Sequence, residues 1–189
     1  KAESLRDAGV EVFLGDITDA EAMRDAADGC RVVFHAAAFF GDYTRQKVVN
    51  VDGTRNVLQA AAEAGTERFV HISSISVYGY RVAGDVTEAT LPAPGSDPYA
   101  ITKTEAEQVV TAGNTPYTII RPGMIYGAGS VNWTGQLFRL ARRSPTPFVG
   151  NGHGSVFPIH VDDVVDMTVT AAAHPAAISQ IFNCTPDPS

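Results

Sequence analysis

The sequence of 189 residues is poor in cysteine and has no long apolar run. Its two cysteines, Cys30 and Cys184, have neither metal-ligand nor redox spacing, which predicts a reduced, cytoplasmic protein without a metal site. The longest apolar-rich run, 32–40, is interrupted by His35 and is far shorter than the roughly 20 residues of a membrane helix. We therefore expect no membrane association.

Positive charge is also scarce. The chain has 14 basic and 21 acidic side chains, and its formal net charge is -7. A nucleic-acid binder needs a clustered basic face to neutralise phosphates, but the one adjacent basic pair here is Arg142 and Arg143. The sequence therefore predicts no nucleic-acid partner. Its hydrophobic content of 44% is typical of a folded globular chain.

Short apolar runs alternate along the chain with alanine-rich stretches. The predicted strands, mostly β-branched or aromatic, are 10–14, 31–35, 68–73, 117–120 and 181–183. The predicted helices between them are 20–27, 48–64, 98–112, 135–142 and 162–173, with Thr18 or Asp19 and Asp162 as candidate caps. This order predicts an α/β, Rossmann-like fold with a doubly wound parallel sheet. Ligands bind such sheets at the carboxyl ends of the strands, where 15–17, 35–38, 73–74 and 121–123 fall.

Three residues form a candidate catalytic site. Tyr99 and Lys103 are one helical turn apart, so they share a helix face, and a cation beside a phenol lowers the phenol pKa from about 10. The alternative is that both lie on a solvated helix face. Ser74 follows a central apolar strand and can donate to a substrate oxygen. The alternative for Ser74 is that it only satisfies backbone groups of its loop.

Several short segments strengthen this interpretation because they occur together and in order. They are 15–19 (GDITD), 35–38 (HAAA), 50–54 (NVDGT), 73–79 (SSISVYG), 121–127 (RPGMIYG) and 160–164 (HVDDV). Together they resemble the extended branch of the short-chain dehydrogenase/reductase superfamily, which includes NAD-dependent epimerases and dehydratases.

The resemblance implies an enzyme that uses NAD or NADP and transfers hydride between the nicotinamide and a hydroxyl or ketone of a small-molecule substrate. Tyr99 then exchanges a proton, Lys103 binds the nicotinamide ribose and keeps the pKa of Tyr99 low, and Ser74 orients the substrate oxygen. The implied cofactor contacts are Asp16, Ile17, Ala36, Ala37, Ala38, Asn50, Pro122, Gly123 and Met124. The resemblance also implies a homodimer. His35, His71 and His160 are expected to be packed histidines rather than metal ligands.

Departures from the family pattern narrow the expected substrate. Ser74 is followed by Ile75 and Ser76, where sugar-nucleotide dehydratases have an Asp-Glu pair, so elimination is not expected. Four residues before the segment 160–164, many nucleotide-sugar epimerases have an arginine that holds the substrate's phosphate. This sequence has Val156 there, followed by Phe157, which predicts an apolar wall. The nearest members are then similar to hydroxysteroid dehydrogenases and dihydroflavonol reductases. A nucleotide-sugar epimerase and a non-catalytic NAD(P)-sensing relative are the alternatives.

The family's glycine-rich phosphate loop is not found ahead of the predicted strand 10–14, and the sequence does not begin with Met. The sequence therefore predicts a Rossmann domain, 1–123 and 155–174, that lacks its first strands. It also predicts part of a substrate-binding lobe, 124–154 and 175–189.

Overall fold

A computed structural model describes residues 2–80, 84–145 and 156–186. Its main sheet has four parallel strands in the order β1-β2-β3-β6, and these are β1 Val32–His35, β2 Arg68–Ile72, β3 Tyr117–Pro122 and β6 Gln180–Cys184. The helices are α1 Ala2–Asp7, α2 Ala20–Ala27, α3 Tyr43–Lys47, α4 Gly53–Glu63, α5 Pro98–Ala112, α6 Gln136–Ala141 and α7 Val161–Ala173. The predicted α/β fold with a parallel sheet is confirmed.

The two central strands supply both hydrophobic layers of the protein. Phe69 of β2 and Ile119 of β3 face a layer with Leu58, Ala61 and Val110, which come from α4 and α5. The next residues of the same strands, Val70 and Ile120, face a second layer with Ile159, Val164, Ala171, Ala177 and Cys184. Successive side chains of a strand point to opposite faces, so two continuous apolar strands can serve two layers.

A second, two-stranded parallel sheet was not predicted from the sequence. It pairs β4 (Met124–Tyr126) with β5 (Pro158–His160), and Gly123 is the pivot between β3 and β4. A Cβ atom at Gly123 would lie 2.2 Å from the carbonyl oxygen of Phe157, while the N–H of Met124 donates to that same oxygen at 2.8 Å. Only glycine therefore permits this approach of the two segments.

The predicted strand 10–14 is wrong. The segment has no regular secondary structure, and Leu14 is 83% exposed. The sheet ends at β1 within the described residues, and no described strand stands beyond β1 to which this segment could pair. A strand needs hydrogen-bonding partners, which an apolar sequence by itself does not provide.

Several helix ends also differ from the prediction. The helix expected over 48–64 begins at Tyr43, where Asp42 accepts from Arg45 N, and continues through a π-helical turn, Val48–Asp52, into α4. Asp19 caps α2 as predicted. The cap of α7 is His160, whose Nδ1 accepts from the N–H of Asp162 at 3.3 Å, so the prediction for Asp162 is wrong.

The boundary of the predicted lobe needs one correction. The sequence predicts that 175–189 belongs to the lobe, but the described part of this segment, 175–186, contains β6, which pairs along β3 and so belongs to the main sheet. Residues 146–155 and 187–189 of the predicted lobe lie outside the described residues. Cys30 and Cys184 are both free thiols.

Candidate active site

The candidate site begins where β2 ends. Ser74 caps the 3-10 turn Ile75–Tyr78, and its Oγ accepts from the N–H of Ser76 at 3.1 Å. This bond uses a lone pair of the hydroxyl and leaves its hydrogen available for a ligand oxygen. The geometry is therefore compatible with both interpretations of Ser74, as a donor to a substrate oxygen and as a residue that satisfies backbone groups of its loop.

Helix α5 carries the other two candidate residues. Asp97 caps its start by accepting from the N–H of Ala100 at 2.9 Å, and this sets the face on which Tyr99 and Lys103 lie one turn apart. The Nζ of Lys103 donates to the carbonyl oxygen of Ile72 at 2.6 Å, two residues before Ser74. The structure thus brings Lys103 to the strand end that carries Ser74.

Burial governs the charge of Lys103. The side chain is 2% exposed, and this burial lowers the pKa of Lys103 to about 8, whereas the negative charge of Glu107 acts in the opposite direction. At neutral pH the amino group is still mostly protonated.

The pKa of Tyr99 differs from the sequence prediction. Burial raises the pKa of Tyr99 to about 12, with further contributions from Tyr80 and Asp97. The prediction that Lys103 lowers it is wrong in this structure, where Lys103 is hydrogen-bonded to the end of β2 instead. Tyr99 is consequently a neutral phenol throughout the physiological pH range.

A buried ion pair behind the site was missed by the sequence analysis. The guanidinium of Arg121 donates from Nε and Nη2 to the two carboxylate oxygens of Glu107, at 2.9 and 2.6 Å. The ring of Tyr78 lies 4.8 Å from the same guanidinium, and its hydroxyl is 2.8 Å from Asn183 Oδ1. Glu107 lies one further turn along the face of Tyr99 and Lys103, a spacing that was visible in the sequence.

Two buried histidines lie beside Lys103. His35 and His71 stack with ring centroids 5.4 Å apart, and His35 Nε2 lies 2.8 Å from Thr54 Oγ1. Burial, followed by the charge of Lys103, lowers the pKa of His35 to about 4 and that of His71 well below its usual range. Both are packed histidines, as predicted, and the described residues contain no group of three or more potential metal ligands among His, Cys, Asp and Glu.

The predicted cofactor contacts near β1 are accessible. Ala36, Ala37 and Ala38 follow the strand directly and are all exposed. Asp16 Oδ1 accepts from the N–H and the hydroxyl of Thr18, at 2.9 and 2.8 Å, and these bonds lower the pKa of Asp16. The other carboxylate oxygen, Oδ2, takes no hydrogen bond from the described residues.

The neighbouring Ile17 is packed rather than free. Its side chain lies against the start of α4, where a Cβ atom at Gly53 would be 2.6 Å from Ile17 Cδ1, and its carbonyl oxygen accepts from Asn56 Nδ2 at 3.0 Å. Segment 16–17 is thereby attached to the helix that follows β1.

Asn50 serves the protein itself in this structure. It is 1% exposed, accepts from the N–H of Phe39, and donates to Phe39 O and Thr102 Oγ1. Both amide hydrogens are used, so its role as a cofactor contact stays a prediction. Among the contacts predicted at the end of β3, Pro122 is buried, whereas Gly123 and Met124 are half-buried.

No helix within the described ranges combines the length and apolar character of a membrane span.

Known proteins with similar sequences and structures agree with these observations. The model of the NAD dependent epimerase/dehydratase family matches residues 1–185. A 3 beta-hydroxysteroid dehydrogenase/Delta 5-->4-isomerase of Mycobacterium tuberculosis is 35% identical over 184 residues, which cover 87% of this chain and 49% of that protein. The UDP-glucose 4-epimerase of Vibrio cholerae is 30% identical over 191 residues, covering 94% of this chain and 58% of that protein.

A solved structure extends the comparison to the fold. A short-chain dehydrogenase/reductase superfamily protein from Agrobacterium tumefaciens, crystallised with bound NAD, superposes with a TM-score of 0.79 and 26% identity. The match covers 98% of this chain and 73% of that one. The chain spans about half the length of the curated relatives named above. The matched segments, the parallel sheet and these relatives together show that the chain belongs to the NAD dependent epimerase/dehydratase family.

Proposed function

We propose that the protein is an NAD(P)-dependent oxidoreductase that acts on a ketone or hydroxyl group through Ser74, Tyr99 and Lys103. The observation that carries the proposal is the hydrogen bond from Lys103 Nζ to Ile72 O, 2.6 Å long. It holds the helix face with Tyr99 and Lys103 against the strand end with Ser74. The three groups needed for proton transfer to a carbonyl oxygen therefore come from two adjoining elements.

The protonation state of Tyr99 favours the reductive direction. With its pKa raised to about 12, Tyr99 is protonated at neutral pH and can donate its proton to the carbonyl oxygen as that oxygen gains charge. Ser74 donates a hydrogen bond to the same oxygen. Lys103 supplies a buried positive charge nearby. The nicotinamide cofactor, when bound, supplies the hydride.

The residues around the carboxyl ends of the strands fit a dinucleotide. Ala36, Ala37 and Ala38 are small and exposed, so a ligand can approach the backbone there. Asp16 offers Oδ2 to an adenine amine, and Ile17 follows it and packs against Gly53 at the start of α4. Asn50 is predicted to contact the cofactor from the π-helical turn that leads into α4. Pro122, Gly123 and Met124 border the other side. The relative from Agrobacterium tumefaciens, crystallised with NAD, supports NAD or NADP as the cofactor.

The proposed substrate is a small to medium apolar molecule. Val156 and Phe157 are 66% and 44% exposed, which supports the predicted apolar wall beside β5. The relative from Mycobacterium tuberculosis is a 3 beta-hydroxysteroid dehydrogenase/Delta 5-->4-isomerase, which supports this substrate class. A nucleotide-sugar epimerase is the second candidate, supported by the relative from Vibrio cholerae. The homodimer implied by the family resemblance and the cytoplasmic location expected from the cysteines remain predictions.

The test uses the complete encoded protein. Turnover of NADH or NADPH with a panel of ketones should be seen, and Tyr99→Phe should lower kcat by about 100- to 10,000-fold while cofactor binding persists, because it removes the donated proton. Tyr43→Phe, on the exposed side of α3, is the matched control and should keep full activity.

Two outcomes would contradict the proposal. Full activity of Tyr99→Phe would remove the assigned role of Tyr99. Interconversion of UDP-sugar stereoisomers without any ketone turnover would favour the epimerase.

A further inference from the structure

An aromatic side chain outside the predicted site covers Tyr99. The ring of Phe40 stacks on the ring of Tyr99 with centroids 4.1 Å apart and an angle of 22° between the planes. Phe40 is nevertheless 56% exposed. One ring face therefore rests on the proposed proton donor and the rest of the ring is open to a ligand.

The neighbours of Phe40 along the chain hold it in place. The backbone of Phe39 both donates to and accepts from the side chain of Asn50, at 2.7 and 3.1 Å. The guanidinium of Arg45 lies 4.8 Å from the centre of the Phe39 ring. On the other side, Gly41 has a φ of 143°, and its carbonyl oxygen accepts from Gln46 Nε2 at 2.8 Å.

The buried side chains of Asn50 and Gln46 therefore fix the backbone on both sides of Phe40. Asn50 is 1% exposed and Gln46 is 4% exposed, and Asn50 also donates to Thr102 of α5, the helix that carries Tyr99. The loop that carries Phe40 is thus joined to α5 both by the hydrogen bonds of Asn50 and by the stacking of Phe40 on Tyr99. A ring held in this way loses little conformational freedom when a ligand packs on it.

A second exposed aromatic side chain, Tyr80, lies at the start of the helix that carries Tyr99. Tyr80 is close enough to raise the pKa of Tyr99, it is 76% exposed, and its hydroxyl is 3.4 Å from Asp97 Oδ2. An aromatic ring edge gains free energy against the face of a flat apolar partner through burial and edge-to-face contact. A flexible chain of the same carbon number has no flat face for this contact and loses more conformational freedom on binding.

We propose that Phe40 is a specificity-determining residue whose exposed ring edge packs against the face of a flat ring system joined to the carbonyl group that Tyr99 protonates. This inference rests on the proposed oxidoreductase function. It adds the shape of the substrate next to the reacting carbon. It also assigns Asn50 a positioning role, because Asn50 fixes the backbone that presents Phe40.

A purely structural role for Phe40 makes a different prediction. If the ring only shields Tyr99 from water, its loss should change the reaction of every ketone by the same factor. If it receives the substrate, the loss should depend on the shape of the ketone. The comparison of two substrates therefore separates the two roles.

The experiment measures kcat/KM of the complete encoded protein for two ketones with equal numbers of carbon atoms. α-Tetralone is flat and has fused rings, and decan-2-one is a flexible chain. Phe40→Ala should lower kcat/KM for α-tetralone by about tenfold and for decan-2-one by less than about twofold. Phe40→Tyr keeps a flat ring and should retain the preference for α-tetralone.

The control variant is Tyr43→Ala, which removes a ring of comparable exposure from α3 and should not change the ratio of the two substrates. Equal losses for both ketones in Phe40→Ala, or a wild-type enzyme that prefers decan-2-one, would overturn the proposal. Circular dichroism and cofactor binding of each variant verify that it is folded.

Failure of the proposed function is recognised separately. In that case the wild-type protein reduces neither ketone with NADH or NADPH. Calorimetric titration with α-tetralone then tests Phe40 without turnover. A Kd about tenfold weaker in Phe40→Ala would support the contact between Phe40 and the flat ring system, and the absence of binding or an unchanged Kd would overturn it.

Discussion

Two arginine–glutamate pairs with nearly the same geometry lie in two different regions of this protein. Arg121 and Glu107 form hydrogen bonds of 2.9 and 2.6 Å behind the central strand β3, and their side chains are 2% and 5% exposed. Arg31 and Glu67 form two bonds of 2.8 Å at the starts of β1 and β2, with side chains 80% and 59% exposed. The same kind of ion pair is therefore solvated in one region and enclosed by protein in the other.

The difference between the pairs extends to the regions that contain them. The centre of the sheet pairs the buried charges of Arg121 and Glu107 with each other, because an unpaired buried charge is costly, although the buried ring of His71 has no hydrogen-bond partner among the described residues. The rim consists of segment 10–17 and the turn that ends at Ala38, where most apolar and polar side chains are exposed. We therefore expect substitutions at the centre to change stability and substitutions at the rim to change binding.

The largest effect is expected from Arg121→Leu. The substitution leaves the carboxylate of Glu107 buried without its partner, which should lower the free energy of unfolding by about 4 kcal/mol. Urea unfolding of the complete protein measures the change. Arg31→Leu is the matched control and should leave the urea midpoint unchanged, because its pair is solvated.

The double variant Arg121→Leu with Glu107→Leu refines this comparison. Removing both charges should recover part of the lost stability, since no unpaired charge remains. Equal midpoints for Arg121→Leu and Arg31→Leu would show that burial does not distinguish the two pairs.

An intermediate effect is expected from acid. Folded His35 has its pKa lowered to about 4, whereas an unfolded histidine ionises near about 6.5, so the unfolded chain binds more protons between these values. Stability is therefore full above about pH 6.5 and decreases by about 3 kcal/mol as the pH falls towards 4. Urea unfolding at a series of pH values measures the slope.

His71 contributes to the same slope, because burial lowers its pKa as well. Neither of its ring nitrogens has a hydrogen-bond partner within the described residues, so leucine can replace the ring without breaking a hydrogen bond. His71→Leu should flatten the pH dependence, because it removes one of the groups that take up a proton on unfolding. His174→Asn, at the exposed end of α7, is the control and should preserve the slope. A slope unchanged in His71→Leu would exclude His71 from the acid response.

The smallest effect is expected from Asp16→Asn at the rim. An adenine amine donates more strongly to a carboxylate than to an amide oxygen, so the Kd for NADH or NADPH should rise about fivefold. Stability should not change, because Asn can still accept from Thr18. Fluorescence titration measures the Kd, and Asp25→Asn on α2 is the control. Unchanged affinity in Asp16→Asn would remove Asp16 from the cofactor site.

Local sequence patterns predicted some elements without error. Ala20–Ala27 and Pro98–Ala112 have the predicted bounds, because each begins at an aspartate cap and keeps residues of good helix propensity to its end. The strands β2 and β3 were also predicted, since each is centred on adjacent apolar residues, Phe69 and Val70 in β2 and Ile119 and Ile120 in β3. These signals are contained in neighbouring residues.

Other elements depend on distant residues and were mispredicted or missed. Segment 10–14 has the composition of a strand but no described partner, whereas β4 and β5 are short strands formed where Gly123 lets distant segments approach. The place of β6 in the main sheet likewise depends on its register with β3. Pairing is a property of two segments, so one segment cannot reveal it.

The sequence alone determined the family, the parallel α/β fold and the helical face shared by Tyr99 and Lys103, because these follow from motif order and from the helical repeat. Tertiary structure decided the pKa values of Tyr99 and Lys103 and which side chain covers Tyr99. Burial raised the pKa of Tyr99 to about 12 and lowered that of Lys103 to about 8, and a loop attached by Asn50 placed Phe40 on the phenol. Desolvation and ring contacts depend on which segments surround a residue, and that is set only when the chain has folded.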